Sequence, residues 1–114
     1  MTDPEEPAGW LSLSEVAERL SVPVNKVNQM VRDRVLLAIR RDGTLRVPVE
    51  LVANRTVLKH LPGVLTLLHD AGYTDEAALR WLYRPDDSLP GTAAEALAGG
   101  RATEVKRRAQ AVGF

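Results

Sequence analysis

Asn25, Asn28, Gln29 and Arg32 follow one another at helical spacing and carry side chains that can read a base edge. An asparagine or glutamine amide can form a bidentate pair with adenine, and an arginine can do the same with guanine. Each good pair contributes about 1–3 kcal/mol of discrimination against a wrong base. Around them lie Lys26, Arg34, Arg40, Arg41, Thr44 and Arg46, suited to phosphate oxygens or the minor groove. Contacts of that second kind set register and orientation without carrying sequence information.

Catalytic chemistry has little to build on. His60 and His69 are nine residues apart, the chain has no cysteine, and no HExxH, GxSxG or phosphate-binding glycine loop is present. The acidic pairs Asp75-Glu76 and Asp86-Asp87 fall at an expected helix start and in an expected loop, where dipole complementarity and turn formation account for them. The reading is therefore a non-enzymatic chain with no catalytic residues, no metal and no cofactor. Trp10, Tyr73, Trp81, Tyr83 and Phe114 are too scattered to stack successive unpaired bases, so single-strand binding is not indicated either.

The formal net charge is zero over 114 residues, which by itself argues against a nucleic-acid partner. The charge is partitioned, however: residues 1–23 sum to −4, 24–49 to +4, 50–100 to −3 and 101–114 to +3. Positive charge thus collects on the stretch that carries the base-reading side chains. An acidic N-terminus without an apolar run indicates neither a signal peptide nor a membrane span, and a cytoplasmic, nucleoid-associated protein is expected.

The elements that must position these residues can be read in order. Residues 1–9, with two prolines, a glycine and three acids, are expected to form a disordered acidic tail. Trp10 and Leu11 should anchor the chain. Ser14 is read as the cap of a helix over 14–20, with Glu15 in its first turn. After Ser21-Val22-Pro23 a second helix should run from Val24 to about Arg34, with Val24, Val27, Met30 and Val31 as its apolar stripe. Leu37, Ile39, Leu45 and Val47 then alternate around a turn, which predicts a β-hairpin. A three-residue loop 41–43 would pair Ile39 with Leu45 and put all four large apolar residues on one face, with Gly43 left-handed.

Residues 49–53 suggest a helical turn and 54–59 a polar link. The rest reads as helices: Pro62 to Asp70, ended by Ala71-Gly72; Thr74 through Leu82; Thr92 to Ala98; and Ala102 to Val112 after Gly99-Gly100, with Arg84 to Gly91 as a loop. The expected fold class is mainly α: a winged helix-turn-helix (residues 10–57) with a two-stranded β-hairpin wing, and a helical C-terminal extension (58–114) packed on it. The implied partner is double-stranded DNA, the second helix lying in the major groove and the wing on the backbone or minor groove, as in a transcriptional regulator. No coiled-coil seam is apparent, so monomer and dimer both stay open.

The segments LSLSEVAERLSVPVNKVNQMVRDRVLLAIRRDGTLRVP, LPGVLTLLHDAGYTDEAALRWL and EVKRRAQAVGF together resemble a family of small bacterial winged-helix DNA-binding proteins. Its best-known member is a Ser/Thr protein kinase substrate. The resemblance implies DNA binding through the winged helix, a helical extension and a kinase as a further partner. In that member phosphorylation of a threonine in an N-terminal extension weakens DNA binding; the tail here has only Thr2, which does not match that threonine residue for residue. The run RWLYRPDDSLPGTAAEALAGGRATEVKRRAQ is also similar to the toxin-binding domain behind helix-turn-helix modules in a class of bacterial antitoxins, with Trp81, Leu82, Leu89, Leu97, Gly100 and Val105 at matching positions and Ala94 where proline is usual. That likeness implies a protein partner docked by Trp81, Leu82 and Leu97. The same helices could instead be a packing unit that buries the apolar face of the wing.

Overall fold

A serine and a glutamate fix where the first helix begins. In the computed structural model, which describes residues 6–53, 55–85 and 91–112, Ser12 Oγ accepts from the Glu15 N–H at 3.1 Å and Glu15 Oε1 accepts from the Ser12 N–H at 2.9 Å. This reciprocal capping box makes Ser12, and not the expected Ser14, the cap of α1 (Leu13–Leu20). The same bonds to Ser12 hold the Glu15 carboxyl below its ordinary value of 4.5. Ser21, left-handed at φ 57°, ends the helix, and Pro23 caps α2 (Val24–Arg32). The second helix stops short of Arg34, because that residue is itself left-handed at φ 58° and turns the chain away.

Three strands form an antiparallel sheet in the order β1-β3-β2: β1 (Trp10–Ser12), β2 (Ile39–Arg41) and β3 (Thr44–Pro48). The wing therefore carries a strand that the hairpin pattern alone does not show. Its register also differs from expectation. Ile39 pairs with Arg46, Arg40 with Leu45 and Arg41 with Thr44, which leaves a two-residue loop, Asp42-Gly43, instead of 41–43. Both loop residues have positive φ, 53° and 78°, as in the Asp-Gly turn whose twist matches a hairpin. The expected register rested on one buried face. In the observed one Ile39 and Val47 point to opposite faces and both are buried, so both faces are covered at the base of the sheet and turn chemistry decides.

After a 3₁₀ turn (Val49–Leu51), β4 (Val52–Ala53) and β5 (Thr56–Val57) make a second small hairpin where the end of a helical turn and a polar link were expected. The helical half follows closely what the sequence indicates: α3 (Leu61–Asp70), α4 (Asp75–Tyr83), α5 (Ala93–Ala98) and α6 (Ala102–Ala111). Thr74 and Thr92 cap α4 and α5 by accepting from the N–H groups of Ala77 and Glu95, each at 3.1 Å. α3 packs against α6 and α4, and α5 against α4 and α6.

One continuous core joins the two halves, with Val16, Val27, Val47 and Leu51 from the first and Leu61, Val64, Leu68, Leu82 and Val105 from the second. The Glu50 carboxylate ties them at the surface: Tyr83 Oη donates to Oε1 at 2.7 Å and the Ala8 N–H donates to Oε2 at 3.0 Å. Pro7 is buried and the Val49 N–H donates to Gly9 O at 3.0 Å, so residues 7–9 pack on the fold rather than belonging to a tail. Residues 1–5, with Thr2, lie outside the described residues, as do Asn54, the 86–90 part of the expected loop with Asp86, Asp87 and Leu89, and Phe114.

Candidate nucleic-acid interface

The turn Ser21-Val22-Pro23 lets α2 leave α1 at an angle while Val27, fully buried, pins it to the core with Met30 and Val31 half-buried beside it. The opposite side is open. Asn25, Lys26, Gln29 and Arg32 are exposed, and none of their side chains bonds to another described residue. Asn28 is half-buried, and its Nδ2 donates to Val24 O at 3.4 Å, a long bond that a better partner can replace. Val24, expected in the apolar stripe, is 41% exposed instead. It is the first residue of the helix, where no preceding turn exists to bring it down onto α1.

On the wing, Arg40, Arg41 and Thr44 are exposed. Arg40 Nη1 donates to Gly43 O at 3.0 Å, which stiffens the loop. The Arg41 guanidinium lies 4.6 Å from the centre of the Trp10 ring, a cation–π contact over the central strand β3 between the two edge strands. Nothing in the sequence pattern singles out that pair, because it depends on β1 joining the wing. Arg46 is half-buried, and its charge adds to the lowering of the Glu15 carboxyl. Arg41, Thr44 and Arg46 share one face of the sheet with Trp10 and Arg40 lies on the other; with the open side of α2 they are the cationic and amide-bearing side chains of the first half.

Arg34 departs from that group. Its left-handed backbone turns it into a crevice between the halves, lined by Val31, Leu36, Leu65, His69, Tyr73 and Asp75 among others. Of the candidates for a protein partner, Leu82 and Leu97 are core residues, at 0% and 4% exposure, and only Trp81 is partly accessible. As docking residues Leu82 and Leu97 are corrected by the packing of α4 and α5, which turns them inward. His60 is exposed with Nδ1 3.3 Å from Lys106 Nζ, His69 sits at the crevice, and Asp75 and Glu76 occupy the first turn of α4. Among the described residues no three His, Asp or Glu side chains gather to hold a metal ion, and no helix is long and apolar enough to cross a membrane.

Residues 2–52 match the family model described as DNA-binding protein Rv2175c, wHTH domain, and residues 58–113 match the Rv2175c C-terminal domain of unknown function. The curated protein "DNA-binding protein Rv2175c" of Mycobacterium tuberculosis is 43% identical over 125 residues, covering 98% of this chain and 84% of the relative. The NMR structure of Rv2175c superposes with a TM-score of 0.85 at 42% identity, covering 100% of this chain and 86% of the other. With a winged helix-turn-helix followed by this helical extension, the chain belongs to the Rv2175c family.

Proposed function

We propose that this protein binds double-stranded DNA without catalysis and acts as a transcriptional regulator in the cytoplasm, associated with the nucleoid. The observation that carries the reading is the open side of α2, where Asn25, Gln29 and Arg32 are exposed and unengaged by any described neighbour. A solvated helix face has no need of a run of amides, whereas a helix in the major groove does. Asn25, Asn28, Gln29 and Arg32 read base edges in this scheme, and Lys26, Arg40, Arg41, Thr44 and Arg46 hold phosphates or enter the minor groove. Arg34, half-buried at the crevice, is the remaining candidate for a phosphate contact. The DNA-binding name of the relative at 43% identity points the same way. So does the packing of α6 on α3 and α5, which leaves α2 with α1 as its main helical neighbour.

Fluorescence anisotropy on random duplex tests the proposal. With about four to six phosphates neutralised, the log-log slope of affinity against salt is about −3.6 to −5.4. Arg40→Ala with Arg46→Ala weakens binding to every sequence and flattens that slope by about 2, while Asn28→Ala or Gln29→Ala relaxes preference at one or two base pairs. Absence of binding at low salt refutes the proposal, and equal losses from all four changes on specific and random DNA refute the division of roles.

A further inference from the structure

We infer that Val24 reads the C5-methyl group of a thymine, as an apolar specificity determinant at the tip of α2. The inference rests on α2 being the major-groove helix and adds a base identity to it. Among the described residues Val24 is the large aliphatic side chain that stays exposed, at 41%, while Val27 on the same helix is fully buried. Val24 opens α2, with no preceding turn to pack on, and a β-branched residue is a mediocre helix former. Position supplies the rest: the N-terminal residues of a recognition helix come nearest to the base edges.

The neighbours of Val24 narrow the ligand. Pro23, the cap, has no polar side chain and so offers no competing donor or acceptor. Lys26 is two positions on, on another side of the helix. Asn28 lies one turn on, on the same side, and its amide touches the Val24 carbonyl. An apolar group beside a carboxamide faces the two chemistries that A·T pairs show in the major groove, the thymine methyl and the adenine N6/N7 edge. The methyl is the apolar group on that edge, and G·C pairs do not carry it. The site read by Val24 and Asn28 is accordingly a short A·T step.

Deoxyuridine differs from thymidine by that methyl alone, which makes it the probe. The preferred duplex is selected from a random pool with the full chain, each thymidine is replaced in turn by deoxyuridine, and affinity is measured by anisotropy at fixed salt. Burial of one methyl-sized group predicts a loss of about fourfold at one position. Val24→Ala should bind the thymidine duplex about as weakly as the unaltered protein binds the deoxyuridine one, with no further loss on replacement. That non-additivity separates direct contact from changed duplex flexibility, which would affect both proteins alike. A site-selective protein indifferent to deoxyuridine at every position overturns the inference and leaves α2 as the reading helix. Val24→Ala that still discriminates at the same position assigns the methyl to another residue and also overturns it. Failure to bind any duplex removes the DNA reading itself.

Discussion

Replacing Tyr83 by phenylalanine removes one oxygen atom and, by our reasoning, a sizeable part of the tie between the halves. Tyr83 is 4% exposed, and its hydroxyl donates to Glu50 Oε1 at 2.7 Å while the other carboxylate oxygen takes the Ala8 N–H at 3.0 Å. A hydrogen bond to a charged group contributes about 1.5–3 kcal/mol. Glu50 is half-buried and keeps Ala8 and some access to water in the variant, which places Tyr83→Phe at the low end, about 1.5–2 kcal/mol. At roughly 4 °C per kcal/mol for a chain of this size, Tm falls by about 6–8 °C. Glu50→Ala orphans a buried hydroxyl as well as the Ala8 N–H and costs more, about 2–3 kcal/mol. In that background Tyr83→Phe is close to neutral, so a double-mutant cycle by calorimetry gives a coupling of about 1.5 kcal/mol.

The same pair has a pH signature. Burial, then the bond to Glu50 and its charge, push the Tyr83 phenol far above its ordinary value of 10. Above that value the unfolded chain releases a proton that the folded chain retains, so this contribution is complete below about pH 10 and declines as pH rises beyond it. Melts of the unaltered protein should therefore fall more steeply between about pH 9.5 and 11 than those of Tyr83→Phe. A coupling below about 0.5 kcal/mol, or parallel pH profiles, refutes the reasoning, since either result means that the hydroxyl is solvated in the folded state.

Three further outcomes are expected. Ser12→Ala costs about 1 kcal/mol through loss of the cap; and because Glu15 is held below 4.5, its contribution is present above that value and lost as pH falls through the folded value, a loss that thermal melts should show blunted in Glu15→Gln. In a Trp81→Phe background, Trp10 fluorescence should change when DNA is titrated in, as Arg41 moves from the ring to a phosphate, and Arg41→Ala should abolish the change at DNA concentrations that saturate it. Leu82→Ala and Leu97→Ala should each lower stability by about 2–5 kcal/mol in denaturant melts, as core residues do; full stability would return them to a docking role.

The helical half was legible because its signals are local. Thr74 and Thr92 cap the helices they precede, and the breaks at Gly72 and Gly99-Gly100 fall where the apolar spacing lapses. The strands were not legible in the same way. β1 has three residues and β4 and β5 two each, too few to show alternation, and they exist because a distant segment supplies their hydrogen-bond partners. In the wing, two local devices disagreed, and the Asp42-Gly43 turn prevailed once β1 and the core had covered both faces at the base. The polar side of α2 was plain from residue type and spacing. That Arg34 falls outside α2 was not legible because nothing about an arginine signals a left-handed conformation, and Val24 was drawn into the apolar stripe because such a stripe is set without regard to where the helix starts.

That stripe matters to how the two halves work together. α2 is held by Val27, Met30 and Val31 on one side, and just past its end Arg34, Leu36 and Leu37 meet Leu65, His69 and Tyr73 of the helical half. The C-terminal helices thus support the exit of α2, the helix proposed to read bases, without covering its open side. A base contact tolerates errors of well under an ångström, so the stiffness of that support bears on recognition as directly as the contacting side chains do. Loosening the crevice should cost discrimination between duplexes before it costs affinity for DNA at large, because phosphate contacts are less demanding of geometry than paired hydrogen bonds to a base.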